Sequence, residues 1–429
     1  MKKIVIVGGG AGGLELVTKL GHAFGKKRQA EVVLIDRSQT HIWKPLLHEV
    51  ATGSIDINSD GLNYRAHAAK HHYQFQLGTL MGVDPEKRTL TLDSLSDDMG
   101  HTVLPERTIS YDILIMAVGS VSNDFGTPGV SDHCHFLDSH KQAERFQQAL
   151  LNQFLRVHQE GTDAKLKLAI VGGGATGVEL SAELFHVADM LKAYGMPEMS
   201  GKRVNVQLIE AGARILPALP ERVAALATKE LVRLGVTVSQ GTRVVRAYDG
   251  GFETADGKDI EADLMIWAAG VKAPDFVAKI EGFETTRNNQ ILVKGTLQTT
   301  AFENIYVIGD CCACKQADGS FVPPRAQSAH QMASLVFSNI KASFLSEPQK
   351  EYVYKDYGSL VNLSRYSTVG NLMGNLMGGS MFIEGRIARF VYVSLYRLHL
   401  IAIHGWVKAT VIMAAQKIGK VVKPKLKLH

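Results

Sequence analysis

Residues 2–15 read KKIVIVGGGAGGLE, and residues 167–179 read KLAIVGGGATGVE. Each stretch is a short apolar strand, a run of glycines and the start of an apolar helix. The two lie much farther apart than the roughly 20–50 residues of a stacking repeat. They therefore mark two separate βαβ units in one chain. In Gly8-x-Gly10-x-x-Gly13 the first glycine allows the tight turn and the second lets the backbone approach a pyrophosphate. The third lets the helix pack on the strand. Ala11 and Gly12 complete the turn. Phosphates placed here meet unpaired N–H groups at the positive end of a helix dipole.

Working outward, Asp36 closes the next apolar run, residues 31–35 (EVVLI), where it can accept hydrogen bonds from a ribose. The second motif, Gly172-x-Gly174-x-x-Gly177 with Ala175 and Thr176 inside it, repeats this logic, and Glu210 follows residues 204–209 (VNVQLI). The gap to Glu210 exceeds the usual spacing of about 20 residues, partly because of a loop at residues 194–202. An acid at this place repels a 2′-phosphate, which predicts NADH over NADPH. Arg214, close by, is the residue that would soften the preference.

Further apolar runs at residues 111–118, 262–268 and 305–308 are closed by Gly119, Gly270 and Gly309-Asp310. Residues 75–80 read as another strand. Helical patterns fall at residues 139–157 and 221–234. Strands alternating with helices predict an α/β fold of parallel, doubly wound sheets. The first unit is incomplete without the strand at residue 305, so the second is expected to be inserted into it. This divides the chain into a first domain at 1–135 and 291–345, a second at 136–290, and a C-terminal region at 346–429. Two dinucleotide sites in one chain argue for a flavin beside a nicotinamide. Hydride transfer to a flavin needs positioning rather than a side-chain acid or base. The lack of a catalytic triad or carboxylate pair fits that chemistry.

Composition narrows the reading. The 429 residues are 45% hydrophobic and 21% charged, ordinary for a folded protein of two or three domains. The net charge is +5, but it is unevenly spread. From residue 385 onward there is no Asp or Glu, while Arg386, Arg389, Arg397, Lys408, Lys417, Lys420, Lys423, Lys425 and Lys427 accumulate. With apolar runs at 390–395 and 407–415, and with Tyr396 and Trp406, this is a basic amphipathic segment suited to an anionic lipid surface. A helix packed on the protein's own core is the competing explanation. No uncharged apolar run reaches the roughly 18–20 residues that span a bilayer. No aromatic-basic motif supports nucleic-acid binding. Cys311, Cys312 and Cys314 are too close together to staple a fold, and Cys134 stands alone. No second ligand pair makes the cysteines a zinc site. Neither His67, His71 and His72 nor His133 and His135 form a metal set, so no metal is expected.

Residues 324–331, PRAQSAHQ, are the sharpest signal. Together with the two glycine motifs and Gly309-Asp310, they resemble the type II NADH dehydrogenases. These are single-subunit, non-proton-pumping NADH:quinone oxidoreductases among the flavoproteins with two dinucleotide-binding domains. Disulfide reductases and sulfide:quinone reductases fit less well, since no suitably placed cysteine pair exists. The resemblance covers nearly the whole chain. It implies non-covalent FAD on the first motif and NADH as substrate on the second. Gly8, Gly10, Ala11, Gly12, Gly13, Asp36, Lys44, Pro45, Leu80, Ala117, Gly119, Asp310, Ala326 and Gln327 would then contact FAD. Gly172, Gly174, Ala175, Thr176, Gly177, Glu179, Glu210 and Gly270 would contact NADH. Gln327, His330 and Gln331 would line the quinone site, with Glu179, Gln327 and His330 as the catalytic residues. The implied setting is the cytoplasmic face of the inner membrane, with a membrane quinone and anionic phospholipid as partners and a homodimer as a possible assembly. A soluble flavoprotein reductase with a protein acceptor, or a non-catalytic NADH-sensing flavoprotein, remain the alternatives.

Overall fold

A computed structural model of the chain describes residues 1–57, 61–97, 99–161, 164–196, 200–363, 367–374, 379–384, 396–422 and 426. The chain opens with β1 (Lys2–Val7), α1 (Ala11–Leu20) and β2 (Ala30–Asp36). Next come the short α2 (Leu47–Ala51), α3 (Tyr64–His71), β3 (Gln74–Leu77) and β4 (Ile113–Met116). The second motif lies in the series α4 (His140–Gln159), β5 (Leu166–Val171), α5 (Ala175–Met190), β6 (Val204–Ile209) and α6 (Glu221–Leu234). It continues through β7 (Thr237–Ser239) and β8 (Leu264–Trp267). The chain then forms β9 (Ile305–Val307), α7 (Ala326–Leu345), β10 (Gly358–Leu363), β11 (Ser367–Gly374), β12 (Gly379–Glu384) and α8 (Trp406–Val422).

Two compact units result. The first comprises Met1–Trp43, Gly61–Val121 and Val271–Asp356; the second comprises Lys44–Asp60, Ser122–Gly270 and Tyr357–His429. In the first, a five-stranded sheet runs in the order β9-β4-β1-β2-β3. All its pairings are parallel, with Ile4 opposite both Val32 and Ile113, and Leu114 opposite Ile305. The strand at residue 305 thus closes this sheet, as the sequence suggested. Ile4, Val5, Ile6 and Val7 are all buried, as a strand covered on both faces requires. The second unit holds a parallel sheet in the order β7-β6-β5-β8. In both sheets the strand bearing the glycine motif is flanked by its successor on one side and a later strand on the other. This is the topological switch point at which α/β sheets bind ligands.

Local chemistry explains the element ends. α4 starts where Ser139 accepts a hydrogen bond from the Gln142 backbone N–H at 3.3 Å, while Gln142 accepts one from the Asp138 N–H at 2.9 Å. Its buried face is Phe146, Leu150, Phe154 and Val157, at helical spacing. The run expected as one strand at residues 75–80 is broken. β3 ends at Leu77, and a separate antiparallel strand, Leu80–Asp84, begins at Leu80. The break falls where the Gly78 N–H turns to the Asp36 carbonyl.

Strands β10, β11 and β12 form an antiparallel sheet that meets α5 and α6 within the second unit. Among the described residues no helix is long and apolar enough to cross a membrane. The apolar run at 390–395, together with Arg386, Arg389, Lys423, Lys425 and Lys427, lies outside the described residues.

Candidate nucleotide and acceptor sites

In the first unit β1 delivers the chain to Gly8, whose φ is +106° and whose added Cβ would sit 2.1 Å from the Ala117 carbonyl oxygen. Only glycine makes this turn. A Cβ on Gly13 would fall 1.9 Å from the Gly8 carbonyl oxygen, so α1 packs directly on the turn. Gly10, by contrast, meets nothing within 4 Å, and α1 starts beside it with no side-chain cap. An open cradle beside uncapped N–H donors is what a pyrophosphate needs. Ala11 is the first helical residue. Asp36 accepts from the Gly9 N–H at 2.7 Å and from the Ser38 N–H at 2.7 Å, which fixes it at the end of β2. Ala117 follows β4, and Gly119, at φ +70°, has open space around it. Asp310 sits in the turn after β9 and accepts from Ser120 Oγ at 2.7 Å. Leu80 is buried at the start of its strand. These groups fit an FAD of the first motif: turn, acid and late aspartate all lie in one unit. Lys44 and Pro45 belong to the second unit, in a short turn leading into α2.

Sequence reading missed two residues here. Tyr64 Oη donates to the Gly9 carbonyl at 2.7 Å, and His41 Nδ1 lies 2.9 Å from the same oxygen. Both are buried and pin the glycine loop from below. Burial, and after it the charge of Asp36, raises the Tyr64 phenol well above its ordinary pKa. It stays a donor throughout the working range.

Helix α7 carries the predicted acceptor residues. Its first turn, Ala326 and Gln327, has no side-chain cap. Gln327 Nε2 donates to Asp356 Oδ1 at 3.1 Å, and Arg325 reaches the other carboxylate oxygen at 3.2 Å. Gln331 exchanges two hydrogen bonds with the backbone of Lys355, at 2.8 and 3.0 Å. His330 Nδ1 lies 2.5 Å from Glu15 Oε2. Glu15 also accepts from Lys19 Nζ at 2.6 Å. Burial alone raises the pKa of Glu15, but His330 and Lys19 outweigh it, so the carboxyl lies below the usual glutamate value. α7 crosses α1 so closely that a Cβ on Gly12 would lie 2.8 Å from the Ala329 carbonyl oxygen. Asp356 carried no motif in the sequence, and Glu15 closed the stretch that holds the first glycine motif without a role that the motif itself assigns.

The second unit repeats the cradle. Gly172 has φ +114°, and its added Cβ would lie 2.6 Å from the carbonyl carbon of Ala268. A Cβ on Gly177 would fall 2.1 Å from the Gly172 carbonyl oxygen. Gly174 is open, and Ala175 and Thr176 are exposed at the uncapped start of α5. Glu210 accepts from the Gly173 N–H at 2.7 Å, as Asp36 does from Gly9. It also accepts from the Gly212 N–H at 2.6 Å. The Arg214 guanidinium is engaged with the carbonyls of Leu219 and Pro217. Gly270, at φ +63°, packs against Phe125.

Glu179 is buried on α5 and accepts the Asn362 N–H at 2.9 Å. His48 on α2 stands 3.6 Å away. Burial raises the Glu179 pKa to about 7, with His48 and the Asn362 N–H opposing and Glu49 and Glu183 adding to the rise. Glu183, one turn along, accepts from Ser54 Oγ at 2.5 Å. All four cysteines are free thiols, and burial pushes Cys134 and Cys311 up to about 12. Neither is a ready nucleophile. Among the described residues no group of three or more His, Cys, Asp or Glu is placed to hold a metal ion.

The family model of the pyridine nucleotide-disulphide oxidoreductases matches residues 2–333. A type II NADH:quinone oxidoreductase of Haemophilus influenzae is 45% identical over 100% of both chains. The chain belongs to the type II NADH:quinone oxidoreductases, within the pyridine nucleotide-disulphide oxidoreductase family. A more distant member of this family, from Staphylococcus aureus, is 28% identical over 88% of this chain and 91% of its own. NDH2 of Plasmodium falciparum, solved with NADH, shares the fold with a TM-score of 0.80 at 18% identity, over 100% of this chain and 99% of that one. The sulfide:quinone oxidoreductase of Aquifex aeolicus gives 0.73 at 16% identity, over 98% and 95%.

Proposed function

We propose that this chain oxidises NADH and reduces a membrane quinone, with FAD on the first glycine cradle and NADH on the second. The carrying observation is the pair of open cradles, each with its acid bonded to the glycine turn at 2.7 Å. FAD held on the first cradle would supply the two-electron redox chemistry between NADH and the quinone. The protein's own residues bind and orient. Asp36 and Glu210 would receive the riboses, and Asp310 would hold the ribityl chain of the flavin. Gln327 is held by Asp356 and His330 by Glu15, and these two would face the acceptor. Glu179 carries an exchangeable proton near neutral pH beside the nicotinamide. Among the described residues no helix is long and apolar enough to cross a membrane.

The membrane is met by the C-terminal helices. Trp406, Val407, Val411 and Ile418 expose apolar surface on α8, and Leu398 and Ile401 do so just before it. With Arg397 and Lys408 nearby and no acid after residue 384, the region suits the anionic headgroups of a cytoplasmic leaflet.

An anaerobic titration tests this reading. NADH is expected to bleach the flavin absorbance, NADPH to do so far less, and a short-chain quinone to restore the colour. Bleaching without restoration would transfer the protein to the soluble reductases with a protein acceptor. Gln327→Ala is expected to keep its flavin and its reduction by NADH while quinone reduction falls about 10-fold or more. Equal loss in both half-reactions would remove Gln327 from the acceptor site.

A further inference from the structure

We propose that Glu15 is the positioning residue for quinone protonation: it fixes the His330 ring so that Nδ1 donates to the carboxylate and Nε2 is the atom that exchanges a proton with the reduced quinone. This rests on the acceptor reading of His330 above. The geometry that carries it lies wholly in the first unit. His330 Nδ1 and Glu15 Oε2 are 2.5 Å apart, a charge-assisted hydrogen bond. The other carboxylate oxygen is held by Lys19 Nζ at 2.6 Å, and the Ser334 hydroxyl stands 3.4 Å from it. Lys19 also donates to Ser334 at 2.9 Å. Glu15 is buried, with a side chain 7% exposed, while His330 is 25% exposed. The carboxylate is therefore fixed on both oxygens, and the ring it holds keeps access to the outside.

A buried acid in this position calls for an explanation. The strands behind α1 are apolar over Ile4–Val7 and Val32–Ile35. A neutral side chain would be cheaper to bury than a carboxylate unless its charge has a use. A carboxylate on one imidazole nitrogen sets the tautomer and the ring orientation, which is how an acid–histidine pair prepares the opposite nitrogen for proton transfer. The overall reaction needs such a donor. NADH + H⁺ + quinone gives NAD⁺ + quinol, so each turnover draws one proton from solution. The donor is the doubly protonated ring: Nε2 gives its proton to the quinone oxygen as the electrons arrive, Nδ1 keeps its proton toward Glu15, and the neutral ring left behind takes a proton from solvent at Nε2. Glu15 neither gains nor loses a proton in the step.

The test separates the half-reactions. Glu15→Gln, purified with its flavin, is expected to be reduced by NADH at the wild-type rate. Its reoxidation by a short-chain quinone should fall about 10-fold or more in kcat with little change in KM. Reoxidation by hexacyanoferrate(III), which accepts electrons without a proton, should be unchanged. Glu15→Asp should recover part of the quinone rate. The second readout needs no turnover and no substitution of Glu15. In ¹⁵N-histidine-labelled wild-type protein, with the His330 signals assigned through His330→Gln, the neutral ring should carry its single proton on Nδ1. An Nε2–H tautomer, or a quinone rate unaffected in Glu15→Gln, overturns the proposal. Slowing of the quinone and hexacyanoferrate reactions alike reduces Glu15 to a structural role and also overturns it. Wild-type flavin that no quinone reoxidises would instead sink the acceptor reading beneath it, which shows in the wild type and not in the variant.

Discussion

Glu15 and Glu179 stand at the same place in two copies of one motif, two residues past the last glycine, yet their carboxyls titrate in opposite directions. Both are buried near the positive end of a helix. The difference lies one helical turn further on. After Glu15 comes Lys19, which donates to it at 2.6 Å; after Glu179 comes Glu183, a like charge. Across from Glu15, His330 makes a short bond, while His48 stays 3.6 Å from Glu179. The motif fixes the backbone and the burial. Burial raises both acids; His330 and Lys19 outweigh it at Glu15, whereas His48 and the Asn362 N–H do not at Glu179, where Glu49 and Glu183 add a smaller rise. A shared fold thus supplies a permanent charge in one unit and a titrating group in the other.

The most drastic way to separate the two copies is to fill one cradle at a time. A Cβ on Gly13 would lie 1.9 Å from the Gly8 carbonyl oxygen, and one on Gly177 2.1 Å from that of Gly172. Gly13→Ala should purify without flavin. Gly177→Ala should purify yellow but lose reduction by NADH about 100-fold or more, two decades at 1.4 kcal/mol each. Absorbance at the flavin band and the rate of NADH bleaching read both effects. Flavin lost from Gly177→Ala and kept in Gly13→Ala would reverse the assignment of the cradles.

The acids themselves give the next largest effect. The Glu179 pKa is raised from 4.5 in the unfolded chain to about 7 in the folded one, so the folded state binds the extra proton between those values. Stability from this group is fully present below about 4.5 and is lost as pH rises through about 7, on the order of 3 kcal/mol in all. Glu15 has the opposite sign: its folded pKa is lowered, so its contribution is present above the unfolded value and fades as pH falls. Glu179→Gln keeps an acceptor for the Asn362 N–H and removes the charge. Urea unfolding of the variant from pH 5 to 8 should lack the decline that the wild type shows. Parallel curves would mean that Glu179 does not titrate in this range.

What is legible in the sequence alone follows the same division. The glycine spacing, the acids closing β2 and preceding the turn after β6, and the strand at residue 305 are local or periodic signals, and each lies where the pattern put it. The roles of Glu15, Asp356, Tyr64 and His41 were hidden because they depend on partners far along the chain. The Glu15–His330 contact joins residues 315 positions apart, and the Tyr64–Gly9 contact joins residues 55 apart. Glu15 closes the stretch that holds the first glycine motif, but a glutamate near a helix start has an ordinary explanation in the dipole, so the motif alone does not mark it. The break at Gly78 was missed because the apolar pattern of residues 75–80 runs through it without a change of period.

Asp36 and Glu210 offer the finest comparison, because their bonds to the glycine turn have equal length, 2.7 Å in each unit. If the second acid selects NADH by charge, an amide in its place should relax the choice without disturbing the turn. Glu210→Gln leaves an oxygen to accept the Gly173 N–H while removing the repulsion against a 2′-phosphate. The ratio of kcat/KM for NADH to that for NADPH should then fall about tenfold, the equivalent of about 1.4 kcal/mol. The Arg214 guanidinium is engaged by the carbonyls of Leu219 and Pro217, so it is not expected to compensate in the wild type. Asp36→Asn, the matching change in the first unit, should leave that ratio where it was and weaken flavin retention instead. A ratio that moves with Asp36→Asn and not with Glu210→Gln would show that the acids, unlike the glycines, do not follow the division of the two nucleotides between the units.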